Sequence, residues 1–278
     1  MLKSSVFPLV VGAFEVALAL AGLVLLWRLG LSKAARTERP SSRLAAWEAP
    51  PTSFLSFLLL VMGGSFFAVT VATMVGRLGE VRGDALTVLS GAAAQFGMLA
   101  GVALFRFGER RTLGFSATQL SGIGTSGLAT FLVALPVLVA TGNLWELLLE
   151  QFGLPTGQQD LIKMFAQADS PALLGTMIVL AVVVAPLTEE LVFRAGLFRY
   201  LRTRLPRWLA LVLPAVLFAL LHVNWQTLQG LVSVAPLVVL AILFSLAYER
   251  TGQIGTPIVA HACFNLNTVV IILSGLAT

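Results

Sequence analysis

An all-α polytopic membrane protein of about eight transmembrane helices, with a cavity among its four carboxyl-terminal helices, is predicted by three observations. Of the 278 residues, 58% are hydrophobic and 11% charged, whereas soluble domains carry about 25% charged residues. Apolar runs close to the roughly 17 to 25 residues that cross a bilayer recur along the whole chain. Finally, Glu189, Glu190 and Arg194 sit inside one such run, Ala172 to Leu201. Ions in hydrocarbon cost several kcal/mol, so these side chains must face a protein interior or a water-filled cavity.

The runs fall near Leu9 to Leu29, Phe54 to Val75, Leu86 to Phe105, Ala117 to Thr141, Ala172 to Leu201, Trp208 to Val223, Ser233 to Tyr248 and Thr256 to Leu276, the sixth and seventh being the shortest. Basic residues set the orientation. Arg28, Lys33, Arg36, Arg39 and Arg43 follow the first run, Arg106, Arg110 and Arg111 the third, Arg199, Arg202, Arg204 and Arg207 the fifth, and Arg250 the seventh. That is thirteen on one side, against Lys3, Arg77, Arg82 and Lys163 on the other. The positive-inside rule makes the richer side cytoplasmic and puts both termini outside a bacterial inner membrane. The net charge of +5 is therefore a topology signal. Nucleic acid is excluded as a partner, because that would need a clustered, solvent-facing basic domain.

The first run is expected to stay in the chain: only Lys3 precedes it, Glu15 interrupts it, and its positive cluster follows it, the reverse of a signal peptide. Gly97 and Gly101, with Gly122, Gly124 and Gly127, read as small residues that let helices approach closely. Residues 1–278 read as one integral membrane domain, since no repeat or low-complexity tract divides them. Within it, 142–170 stands apart: Trp145, Leu148, Leu149, Phe152, Leu161, Ile162 and Phe165 recur at helical spacing, with Glu146, Glu150, Asp160 and Asp169 between them. This predicts two short amphipathic helices at the outer interface, broken at Gly153 to Gly157. The segment reads either as a connecting loop or as a flap over a lateral entrance. The single cysteine, Cys263, rules out an internal disulfide. It lies about 200° round the helix from His261 and reads as a packing residue.

The remaining polar residues of the late runs form a constellation. Glu190 and Arg194 are spaced i, i+4, where side chains meet and an internal ion pair is expected. Glu189 points about 100° away from Glu190 and has no such partner on its own helix. The two histidines of the chain, His222 and His261, lie in the sixth and eighth runs, and Asn265 shares a helix face with His261. Singly, each could be a hydrogen-bonded packing residue. Together they are the titratable groups that could converge on one cavity, and Pro186 offers a kink to adjust their depth.

Three ordered motifs carry a resemblance. Ala185-Pro-Leu-Thr-Glu-Glu-Leu-Val-Phe-Arg194 holds EExxxR, Leu217-Phe-Ala-Leu-Leu-His222 holds FxxxH, and the stretch ending His261-Ala-Cys-Phe-Asn265 holds HxxxN. The set resembles the CAAX prenyl protease and bacteriocin-processing (CPBP, or Abi) family of intramembrane proteases. It covers residues 172–278, expected to be the catalytic core; the first four runs are similar only in being hydrophobic. One departure is Ala195, where the family often has glycine, with Gly196 one place later. The resemblance implies an intramembrane endopeptidase acting on a membrane-associated or lipid-modified protein or peptide. Glu189 and His222 would activate water, His261 and Asn265 would stabilise the oxyanion, and Glu190 with Arg194 would support the helix. No cofactor is needed for that scheme. A zinc-dependent version would use Glu189, His222 and His261, a legitimate catalytic set with an open fourth position. A proton-coupled transporter and a non-enzymatic immunity or scaffold protein remain as other uses of the same polar groups.

Overall fold

The computed structural model describes residues 6–37, 42–109, 122–156, 163–165, 168, 170–225 and 227–276, and all regular structure among them is helical. Helix α1 runs Val6–Leu26 and ends in a π-helical turn, Trp27–Leu31, followed by the short α2, Lys33–Thr37. Then come α3 (Pro51–Leu78), α4 (Gly83–Glu109), α5 (Ile123–Gln151), α6 (Pro171–Arg202), α7 (Arg207–His222), a 3-10 turn (Leu228–Ser233), α8 (Val234–Thr251) and α9 (Gly255–Ser274). Of the residues singled out in the sequence, Lys3, Arg39, Arg110, Arg111, Ala117, Gly157, Asp160, Leu161, Ile162 and Asp169 lie outside the described set.

Seven of these helices are long and apolar enough to cross a membrane, which makes the chain an integral membrane protein. The expected sixth run is α7, within one residue of its predicted bounds and, as predicted, shorter than the rest. Its 16 residues rise only about 24 Å at 1.5 Å per residue, less than the hydrocarbon thickness. It stops at its histidine because Val223 turns into extended backbone (φ −78°, ψ 130°). The chain then returns through the 3-10 turn into α8.

One expectation changes. The fourth run continues past Thr141 as unbroken helix to Gln151, so the first amphipathic stretch of 142–170 is the end of α5 and not a separate helix. Leu149 is buried there, and the Trp145 indole N–H donates to the Leu231 carbonyl at 2.8 Å, tying α5 to the turn before α8. The break falls at Gly153 as expected. Gly153 takes φ +68°, its N–H reaches Glu150, and the Leu154 N–H reaches Leu149. This is a left-handed helix ending that only glycine adopts without cost.

The amino-terminal helices meet through small residues. A Cβ on Gly97 would overlap the Gly64 carbonyl oxygen, one on Gly101 the Leu60 carbonyl oxygen, and one on Gly22 the Leu132 carbonyl oxygen. Backbone contact is how α3 meets α4 and α1 meets α5, as in other small-residue interfaces.

Between α2 and α3, the extended stretch 42–50 lies across the end of α6. Arg199 Nε donates to the Ala45 carbonyl at 2.8 Å, and Arg204 donates to the Trp47 and Ala49 carbonyls. The Trp47 N–H donates to Thr203 Oγ1, and the Arg43 N–H donates to the Glu249 carbonyl. The Trp47 indole stands edge-on to Phe54, Phe57, Phe105 and Tyr200. An irregular loop is thus given hydrogen-bond partners by arginines of the helix that carries the acidic pair.

Candidate active site

The local build of α6 explains where its acids point. Its middle alternates between α and π geometry: Leu180–Val184 is π, Ala185–Glu189 α, and Glu190–Phe198 π. π turns inside α-helices are rare and concentrate at functional sites. In the first π turn the Ala185 N–H bonds to the Leu180 carbonyl, five residues back. The next bond in that register would run from residue 186 to Ala181, but Pro186 has no N–H to give. Asn265 on α9 covers the orphaned carbonyl, its Nδ2 donating to Ala181 at 2.7 Å.

From this frame the two adjacent glutamates take opposite sides of one imidazole. Glu190 is fully buried and approaches His261 Nδ1 at 2.9 Å and Arg194 Nη1 at 3.0 Å. Glu189, also buried, has its Oε2 3.9 Å from His261 Nε2 and 3.5 Å from His222 Nε2. A carboxylate only accepts, so His261 carries its proton on Nδ1 toward Glu190. His222 Nδ1 likewise donates to the Phe218 carbonyl at 2.7 Å, which turns its Nε2 toward Glu189. Both rings are therefore oriented from behind.

The phenylalanine of FxxxH takes part in this. The Phe218 ring lies 4.2 Å from the His222 ring and 4.8 Å from the Arg194 guanidinium, so one aromatic face supports an imidazole and a buried cation together. Arg194 is 1% exposed. A guanidinium that deep requires its Glu190 partner, because an unpaired buried charge costs several kcal/mol. Gly196 answers the departure at Ala195: a Cβ there would strike the Phe57 ring, so the close contact falls one residue later.

The structure thus gathers Glu189, His222, His261 and Asn265 on the wall of one cavity, and sets Glu190 and Arg194 behind His261, outside that wall. Two findings were not anticipated. Glu190 touches His261 as well as Arg194, so it orients an imidazole in addition to pairing with the guanidinium. And Gln95 of α4 donates from Nε2 to Glu189 Oε1 at 3.1 Å. The only sequence signal for it was a lone amide within the third apolar run. Cys263 faces the other way, packed beside the cluster formed by Phe131, Phe244 and Ala260.

The cavity has a volume of about 700 Å³ and runs from Gln95 and Glu189 past both histidines to Asn224, Thr227 and Ser233. Met164 and Phe165 also line it, which places the remaining described part of the 142–170 segment against the cavity. A zinc ion held tetrahedrally at 2.0 to 2.1 Å sets its donor atoms about 3.3 Å apart. The 3.9 Å between His261 Nε2 and Glu189 Oε2 is wider than that. Among the described residues no three acidic, imidazole or thiol groups form a metal-holding set.

A carboxylate and two imidazoles thus meet at one cavity of a helical membrane bundle. Residues 171–267 match the Rce1-like family, described as type II CAAX prenyl endopeptidase Rce1-like. The match falls on the same carboxyl-terminal part that carries the three motifs, and it agrees with the resemblance they carry to intramembrane endopeptidases of the CPBP family. The chain is similar to UPF0177 protein YbdI of Lactococcus lactis subsp. lactis (strain IL1403), 29% identical over 94 residues, 33% of this chain and 46% of that protein. It is also similar to an uncharacterized 24.3 kDa protein of Escherichia coli, 28% identical over 103 residues, 36% of this chain and 46% of that protein. The similarity thus spans about half the length of these curated relatives. No solved structure matches the chain.

Proposed function

We propose that the protein is an intramembrane endopeptidase that hydrolyses a peptide bond of a membrane-associated or lipid-modified protein or peptide, using Glu189 as general base. One observation carries this reading: a buried carboxylate at a cavity has one oxygen facing two imidazoles that are each oriented by a second hydrogen bond. Glu189 takes a proton from a water whose oxygen attacks the scissile carbonyl carbon. His222 steadies the carboxylate when it also carries a proton on Nε2, the nitrogen that faces Glu189. The tetrahedral oxyanion is met by fixed donors in a site shielded from bulk water, where such donors act most strongly. Asn265, only one of whose two Nδ2 hydrogens is used on Ala181, fills that role in this scheme, joined by His261 when its ring also carries a proton on Nε2. Collapse of the intermediate breaks the C–N bond, and the proton held by Glu189 passes to the leaving amine. The protein works in a bacterial inner membrane with both termini outside the cytoplasm, as its distribution of arginines favours.

The test compares membrane proteomes of cells carrying the wild type or Glu189→Gln, with new protein termini mapped. Termini present only with the wild type are expected; identical sets would discard the protease reading. General-base removal should lower turnover at least about 100-fold. The same pair in liposomes settles the transporter reading, which predicts pH-dependent ion flux lost with Glu189. If Glu189, His222 and His261 are all replaced and biological activity survives, the protein is a scaffold or immunity protein. The zinc reading would need His261 Nε2 and Glu189 Oε2 to close from 3.9 Å. It predicts cleavage that chelators abolish and zinc restores, whereas the metal-free scheme predicts indifference to both.

A further inference from the structure

Gln95 lies outside the segment matched to the family, on a helix that otherwise packs through glycines and apolar or aromatic side chains, yet it touches the candidate general base. Its Nε2 stands 3.1 Å from Glu189 Oε1. Because a carboxylate oxygen only accepts, the amide nitrogen must be the atom turned toward it, and the position of the amide oxygen follows. That oxygen, Oε1, is buried and has no hydrogen-bond partner among the described residues, while the residue lines the cavity. A buried amide oxygen is costly to leave unpaired, so it calls for a donor that binds in the cavity. Since the nitrogen of the same amide touches Glu189, this oxygen stands one amide width from the atom that holds the carboxylate.

We propose that Gln95 is a positioning residue for the nucleophilic water, an inference that rests on Glu189 being the base. Its N–H occupies Glu189 Oε1 and leaves Oε2, the oxygen facing both imidazoles, to take the proton. Its own Oε1 accepts the other hydrogen of the water. The water is thereby held at both hydrogens, with an oxygen lone pair directed at the scissile carbonyl carbon. Orientation of this kind is a large part of what an enzyme adds to hydrolysis. Gln95 is neither acid nor base in the step. The proton goes to Glu189, and Gln95 only fixes where the water stands.

The test uses the full chain in proteoliposomes, with Gln95→Met and the smaller Gln95→Leu, and an internally quenched farnesylated CAAX peptide as the probe. Both variants should keep the wild-type melting temperature, keep KM within about twofold and lose about 10- to 100-fold in kcat, the range for a hydrogen bond to a charged group. An unchanged kcat would overturn the proposal. A risen KM with kcat retained would also overturn it, by making the amide a substrate contact. A melting temperature that falls in step with kcat in both variants would reduce Gln95 to helix packing. Infrared difference spectra supply a readout independent of turnover. The Glu189 carboxylate band, assigned with Glu189→Gln, should shift in Gln95→Met, and a water band sensitive to oxygen-18 should vanish. A wild type that leaves the probe uncut sinks that substrate for the protease reading, while the two infrared bands still decide for or against Gln95.

Discussion

The helices before and after residue 170 solve the same problem, assembly in a membrane, with different chemistry. Among the described residues every polar or charged residue buried as a whole lies between Thr188 and Ser274, while Glu15 and Gln95 each bury a single side-chain oxygen. Helices α1 to α5 are joined where Gly22, Gly64, Gly97 and Gly101 let backbones touch. Helices α6 to α9 are joined through Glu190, Arg194, His261, Asn265 and the aromatic rings around them. The difference teaches that the first set is held by shape, which tolerates any apolar sequence that fits. The second is held by groups that each need a particular partner, and such groups sit where chemistry is possible.

The largest blow to that contrast should come from separating the buried ion pair. Glu190→Ala strands Arg194 and should destabilise by about 3 to 5 kcal/mol, read as a large fall in melting temperature in detergent; a near-wild-type value would deny that the pair is dry. His261→Ala comes next, because it removes the group between the two acids. It should cut turnover by about 100-fold or more with a smaller loss of stability, measured as kcat against melting temperature.

Asn265→Leu leaves the Ala181 carbonyl without a donor, at about 1 to 3 kcal/mol. Pro186→Ala, which restores an N–H at the missing rung, should return part of that stability in the double variant. If the two losses simply add, Asn265 is not the cover for that carbonyl. Gly22→Leu sharpens the other side of the comparison. Overpacking at the Leu132 carbonyl should cost about 1 to 3 kcal/mol and leave kcat per folded molecule unchanged. Smallest of all, Leu20→Ala on the exposed, lipid-directed side of α1 should stay within about 0.5 kcal/mol.

Much of the site was legible in the sequence because ions are costly in hydrocarbon. Glu189 with no partner on its own helix, and two histidines in separate apolar runs, left few arrangements other than one shared cavity. The Glu190–Arg194 spacing announced an ion pair. Other features depended on geometry that spacing does not carry. In an ordinary α-helix Glu189 and Glu190 diverge; that they flank a single ring requires His261 to enter between them from α9. The need for Asn265 at Ala181 arises only once the ladder slips to π geometry before Pro186. Gln95 was hidden because an uncharged amide raises no alarm in an apolar run, and its partner is 94 positions away. The fold was legible to within one helix. The misreading at 142–151 concerns where a helix stops, set by Gly153, whereas α7 ends within one residue of where the sequence places it.

The stretch 42–50 has a mechanical consequence. Its carbonyls are gripped by Arg199 and Arg204 at the end of α6, so the linker between the first two membrane crossings works as a gauge of that helix. If α6 slides or rotates during a catalytic cycle, those grips must slip and Trp47 must leave its aromatic nest. The native indole would then signal, as a change in fluorescence at the membrane surface, a displacement that begins beside the acids within it.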